Sequence, residues 1–127
     1  LARGRNAAAI EKGRVELSQG SASSLPYVDG VFDKALAIHS WHHWPDPAAG
    51  LREIGRVLRP GGVVAIVEGS HSAVAFIEGS RVTKDDIKLR KVGDVLVAQL
   101  ADVRFKQIRL TFSPPKVGAY LCALGVK

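Results

Sequence analysis

The sequence predicts an α/β domain built on a mainly parallel sheet that closes with a C-terminal antiparallel hairpin. Three observations carry this expectation. Two runs, Phe32 to Ile38 and Val63 to Val67, are apolar nearly throughout, which is the pattern of strands covered on both faces. A helix lies between them, so the strands form a right-handed βαβ unit. Toward the C-terminus, Ile108, Leu110 and Phe112 alternate with the polar Arg109 and Thr111, Pro114-Pro115 breaks the chain, and Val117 to Val126 is apolar again.

Each element has a local reason. Ala2 to Lys12 is rich in Ala and Arg and meets Gly13, which suits a helix with a glycine stop. Val15 to Leu17 reads as a short strand. The turn Val28-Asp29-Gly30 delivers the chain to Phe32. Asp46 is an N-cap with Pro47 at the first helical position, and Leu51, Ile54 and Leu58 recur at spacings of three and four on one face. Arg56 and Arg59 fall in the last turn, where cations suit the helix dipole. Pro60-Gly61-Gly62 cannot continue the helix. Ser70 to Gly93 is a mixed polar segment without a clear period, and Asp94 to Val103 reads as a helix.

With 127 residues and 46% apolar content, the chain can form one core. No apolar run reaches the roughly 20 residues of a membrane span, and Leu1 to Arg14 is too polar for a signal peptide. The lone Cys122 excludes an internal disulfide and fits a reducing, cytoplasmic compartment. A formal charge of +6 raises the question of nucleic acid. The basic residues do not support it: Arg81, Lys84, Lys88, Arg90 and Lys91 are mixed with Asp85 and Asp86 and have no aromatic residue among them to stack bases. Neither nucleic acid nor membrane is expected as a partner.

The order of signals over Gly20 to Glu68, GSASSLPYVDGVFDKALAIHSWHHWPDPAAGLREIGRVLRPGGVVAIVE, resembles the second half of a class I S-adenosylmethionine-dependent methyltransferase of the small-molecule group. The shared elements are the GSA turn, LP-x-x-DG-x-FD, the HH and DP pairs, and E-x-x-RVLRPGG. The resemblance implies a partial Rossmann-like methyltransferase fold, S-adenosyl-L-methionine as cofactor and an unidentified small-molecule methyl acceptor. The family's Gly-rich turn, D-x-G-x-G-x-G, would stand before Leu1. The chain therefore reads as a single truncated domain over residues 1–127, inactive in isolation. A non-enzymatic alternative is a remnant or interaction module that self-associates through an exposed sheet edge. A nicotinamide-dependent oxidoreductase fragment is disfavoured, because these motifs are not dinucleotide fingerprints.

Ligands of open α/β sheets sit at the carboxyl ends of the strands. The resemblance there implies a cofactor site of Gly20, Ser21 and Ala22 at the adenine edge, with Ala37, Ile38 and His39 against the methionine part. It also places His42 and His43 at the mouth of the substrate site. A neutral imidazole can remove a nucleophile's proton near neutral pH, so His42 and His43 are the candidate catalytic residues. Trp41 and Trp44 are candidate walls of the substrate pocket, able to attract a cation to a ring face; the alternative for each is to fill core. On a helix His39, His42 and His43 would share one face, but no carboxylate or cysteine stands at a convincing fourth spacing, and the prolines around Asp46 favour a loop. No metal is expected. Asp33 begins a strand and Glu68 ends one, so they do not form an acid/base pair and neither receives a catalytic role.

Overall fold

The computed structural model describes residues 2–69, 84–113 and 120–127. Its centre is a four-stranded sheet of β1 (Phe32–Ile38), β2 (Leu58–Gly69), β3 (Lys106–Phe112) and β4 (Tyr120–Val126), in the order β1-β2-β4-β3. β1 and β2 run parallel, whereas β4 is antiparallel to both β2 and β3. The sheet described is therefore mixed, and its one parallel ladder is the βαβ unit expected from the sequence. The segments 70–83 and 114–119 lie outside the described residues, and with them the Pro114-Pro115 link and the first residues of the expected final strand.

The crossover helix α3 (Pro47–Val57) forms where its signals stand. Asp46 Oδ1 accepts from Ala49 N–H at 2.9 Å, satisfying one of the donors that a helix start leaves without a partner. Gly50, Leu51, Ile54 and Val57 form its buried stripe. Leu51 and Ile54 pack with Val64 and Ile66 of β2, Leu121 and Ala123 of β4, and Leu89, Leu96 and Leu100 of α4 (Lys84–Asp102) in one core. The other face is more open: Val63, Ala65 and Val67 are only partly buried, and Leu36 and Ile38 are exposed. Coverage of both strand faces is thus not found among the described residues, where the helices gather on one side.

Three local expectations are corrected. Helix α3 gives way to strand at Leu58 rather than after Gly62. Leu58 is fully buried, and the Pro60-Gly61-Gly62 excursion is held as a bulge by Gly61 N–H to Lys127 O at 3.0 Å and Lys127 N–H to Gly62 O at 2.9 Å. A side chain at Gly62 would come within 2.8 Å of Arg59 O, so glycine is required by close approach. The N-terminal helix is split into α1 (Ala2–Arg5) and α2 (Ala7–Glu11). The Asn6 side chain donates to Ala2 O at 2.9 Å and competes with the helical ladder. Val15 to Leu17 form no strand: Val15 N–H closes the end of α2 on Ala9 O at 3.2 Å, and no described strand flanks the outer edge of β1 to receive a ladder.

With no ladder of its own, the stretch before β1 is held by α3. Arg56 donates to Tyr27 O at 2.8 Å, to Leu25 O at 3.1 Å and to Asp29 at 2.8 Å, and it forms a two-point pair with Glu53 at 2.8 and 2.9 Å. Glu53 in turn accepts from Leu25 N–H at 2.8 Å. Gly30 N–H donates to Arg56 O at 3.0 Å, and Asp33 pairs with Arg59. The Arg56 hydrogen bonds, with the Leu25 amide next, hold the Glu53 carboxyl down at about 2, and the same pairing with Glu53 raises the Arg56 guanidinium still further.

Two outcomes test this arrangement. Leu51→Ala should destabilise the fold by about 2–5 kcal/mol, since the side chain is fully buried; urea denaturation measures this. Because Glu53 titrates lower when folded than its ordinary 4.5, its contribution to stability is complete above that pH and fades as pH falls toward about 2. Glu53→Gln should therefore flatten the acid limb of a stability-against-pH curve over that window. An unchanged limb would remove the carboxylate from the account.

Candidate functional site

The carboxyl end of β1 turns sharply at His39, which has φ 47°, a left-handed conformation that costs a branched residue free energy and is found at sites where the surroundings impose it. His39 N–H still donates to Val67 O at 2.9 Å, which keeps the turn registered on β2. Its ring meets Tyr120 edge-on at 5.8 Å, and a side chain at Gly69 would come within 2.5 Å of it, so the glycine ending β2 makes the room.

A single 3-10 turn, Trp41–His43, follows. Trp41 is buried, and its Nε1 donates to Gln99 Oε1 of α4 at 3.2 Å. It therefore fills core and anchors the turn, a use that its apolar ring and single donor suit. Trp41 N–H donates to Glu68 Oε1 at 3.0 Å, and Glu68 Oε2 lies 2.6 Å from His42 Nδ1. Glu68 is only 4% exposed, so its carboxyl group is buried against the Trp41 amide and the His42 ring. The His42 and His43 rings lie 3.9 Å apart at a tilt of 47°. Sequence reasoning left both Glu68 and Gln99 without a role. For Glu68 a signal existed: one charged residue closes an otherwise apolar strand at the end where such sheets bind ligands.

On the other side of Ser40 an open groove of about 370 Å³ runs along the free edge of β1. Ala22, Leu25 and Tyr27 form one wall, and Ala37, Ile38, Ser40 and Trp44 lie across from it. Two sequence-separated cofactor candidates, Ala22 and the Ala37-Ile38 pair, thus meet in one place, with Trp44 beside them. Trp44 packs against α3 at Gly50, where a side chain would come within 2.5 Å of its ring. Gly20 and Ser21 belong to the turn that leads into this wall. Ser21 Oγ accepts from Ser23 N–H at 3.2 Å, and Ser21 bridges to Ser24. The three histidines do not line the groove but cluster at the strand ends with Glu68.

The residues present fit the adenosine part of S-adenosylmethionine. The walls are largely apolar, small alanines stand at positions 22 and 37, and the Ser40 hydroxyl among them can donate and accept. Among the described residues no group of three His, Cys, Asp or Glu side chains is arranged to hold a metal ion, and no helix is long and apolar enough to cross a membrane.

Comparison with known proteins gives the family. Residues 1–66 match the family model described as a methyltransferase domain. Ajmaline N-methyltransferase of Rauvolfia serpentina is 33% identical over 98 residues, covering 77% of this chain and 34% of that protein. The chain spans well under two thirds of the length of such curated relatives, and 58% of an uncharacterized Bacillus subtilis methyltransferase, YdaC, with which it is 28% identical. Among solved structures, a Thermotoga maritima SAM-dependent methyltransferase superposes with a TM-score of 0.64 at 20% identity, covering 97% of this chain and 69% of that one. The Burkholderia thailandensis 1,6-didemethyltoxoflavin-N1-methyltransferase, solved with S-adenosylhomocysteine, gives a TM-score of 0.64 at 22% identity, covering 97% of this chain and 56% of that one. At such identities the structures speak for the fold alone, and it is the family match over 1–66, falling on the turn, strand and histidine segment assembled above, that makes this chain a member of the class I S-adenosylmethionine-dependent methyltransferases.

Proposed function

We propose that the chain carries the cofactor groove and proton-accepting side of an enzyme that methylates a small molecule. The observation that carries this reading is the convergence of Ala22 with Ala37 and Ile38 on one groove, with His42, His43 and Glu68 grouped at the adjoining strand ends. Ala22 and Leu25 would face the adenosine part and Ala37 and Ile38 the methionine part, with Ser21 and Ser40 supplying hydroxyls. The bound cofactor supplies an electrophilic methyl group on a sulfonium. The chain's task is to hold the acceptor in line, exclude water with apolar walls and receive a proton at an imidazole nitrogen. Trp44, packed on Gly50, closes one end of the groove.

A second reading, a module that pairs with another copy through its sheet, is favoured by one observation. Among the described residues β1 has a neighbour on one side only, and Leu36 and Ile38 on it are 64% and 55% exposed. Light scattering separates the two. A species that stays monomeric over a broad concentration range removes the second reading, whereas a dimer that dissociates on Leu36→Lys supports it.

The methyl-transfer reading is tested by titrating the chain with S-adenosylhomocysteine while following backbone amides. Saturable shifts should centre on residues 21–25 and 37–40. Ser21→Ala should weaken binding by roughly three- to tenfold, the loss of one neutral hydrogen bond. Gly50→Ala should displace Trp44 and weaken it as well, while thermal melts confirm folding. Shifts confined to other surfaces, or none at high concentration, would end this reading.

A further inference from the structure

Glu68 stands where an apolar strand could have ended in another apolar residue, yet it places a buried carboxyl group between the Trp41 N–H and the His42 ring. We propose that Glu68 is a positioning residue that holds His42 as the Nδ1–H tautomer, so that Nε2 takes a proton from the methyl acceptor. The inference rests on the methyl-transfer reading above and deepens it. It makes the acceptor a nucleophile that reaches the site bearing an O–H or N–H proton it must lose, which a thioether or an aromatic carbon attacking through its π electrons would not do before bond formation.

The argument is one of donors and acceptors. Trp41 N–H is a backbone donor and can only donate, and its place is fixed because the Trp41 ring is buried and tied to Gln99. Oε1 is thereby committed. Oε2 then faces His42 Nδ1 at 2.6 Å, a distance at which two lone pairs would repel, so one partner carries a proton between them. With a carboxylate on one side the proton sits on Nδ1, and the lone pair of the neutral ring is on Nε2. His43 has no such partner: among the described residues no carboxylate lies within ion-pair distance of it. The structure thus distinguishes two adjacent histidines that the sequence presents as equivalent.

The resulting step balances. The acceptor's proton passes to Nε2 as the acceptor's electron pair forms the new bond to the methyl carbon. The old carbon–sulfur bond breaks, and its electron pair remains on sulfur, which becomes an uncharged thioether. His42 becomes an imidazolium beside the Glu68 carboxylate and later returns its proton to water.

The experiment reads the tautomer directly by nitrogen NMR of the histidine rings at neutral pH, in the wild-type chain and in Glu68→Gln. Glutamine has the same shape, but only its oxygen can accept from Trp41 N–H. Its amide NH₂ must then face Nδ1 and turn that atom into an acceptor, which moves the ring proton to Nε2. The expected result is Nδ1–H in the wild type, inversion to Nε2–H in Glu68→Gln, an unchanged far-ultraviolet dichroism spectrum, and S-adenosylhomocysteine affinity changed by less than about twofold. Glu68→Asp, which keeps a carboxylate, should restore part of the Nδ1–H population. An imidazolium at neutral pH, an Nε2–H wild type, or a tautomer indifferent to Glu68→Gln would each overturn the proposal. An inverted tautomer in a chain that shows no S-adenosylhomocysteine binding would leave the Glu68–His42 contact standing and sink the methyl-transfer reading from which its role is drawn.

Discussion

The stretch that leads into β1, from Leu25 to Asp29, depends on the Arg56 guanidinium. Residues 2–31 contribute no strand to the sheet, so they lack the ladder by which chain segments are usually held. Arg56 replaces it with a fork of donors spread over Leu25 O, Tyr27 O and Asp29, while Glu53 holds the fork in plane and accepts from Leu25 N–H. A lysine could not do this, since one compact ammonium cannot reach a carboxylate and two carbonyls in a fixed plane. This clamp brings Leu25 and Tyr27 to the edge of β1 and so forms a wall of the groove.

One continuous stretch supplies both ends of the site. Helix α3 carries Glu53 and Arg56 near the start of β1, and β2 carries Glu68 to its far end. The parallel pairing of β1 with β2, from Phe32 opposite Leu58 to Ile38 opposite Val67, sets the distance between them. The two carboxylates differ in surroundings. Glu53 is partly exposed and paired with an arginine that is always charged, which suits a permanent clamp. Glu68 is buried against a backbone amide and an imidazole, a partner whose proton can move.

Much of the motif through which the family was legible has a structural meaning here. In LP-x-x-DG-x-FD, Leu25 and Asp29 are the Arg56 and Glu53 partners, Gly30 takes φ 64°, and Asp33 meets Arg59. In E-x-x-RVLRPGG, Glu53 and Arg56 are the clamp, Leu58 is core, Gly61 takes φ 80° and Gly62 admits a close backbone approach. Positions that read as a signature are those where a charge must find one partner or a backbone must turn left-handed. Arg104, at φ 70°, shows the same left-handed turn made by a residue less suited to it than glycine.

The sequence by itself determined the elements whose causes are local: the capped helix after Asp46, the two apolar strands, the alternating hairpin, and a histidine–tryptophan segment at a strand end. Periodicity, caps and turn residues act over a few positions, so they can be read without knowing the fold. Only the tertiary structure decided matters that depend on distant residues meeting. It gave Val15 to Leu17 no neighbour to pair with, and it sent Trp41 into the core with Gln99 and left Trp44 at the groove. It also brought to His42 a carboxylate that His43 lacks among the described residues, from a residue 26 positions away. That last choice is invisible along the chain, because the partner of a buried charge is selected by strand register and not by spacing.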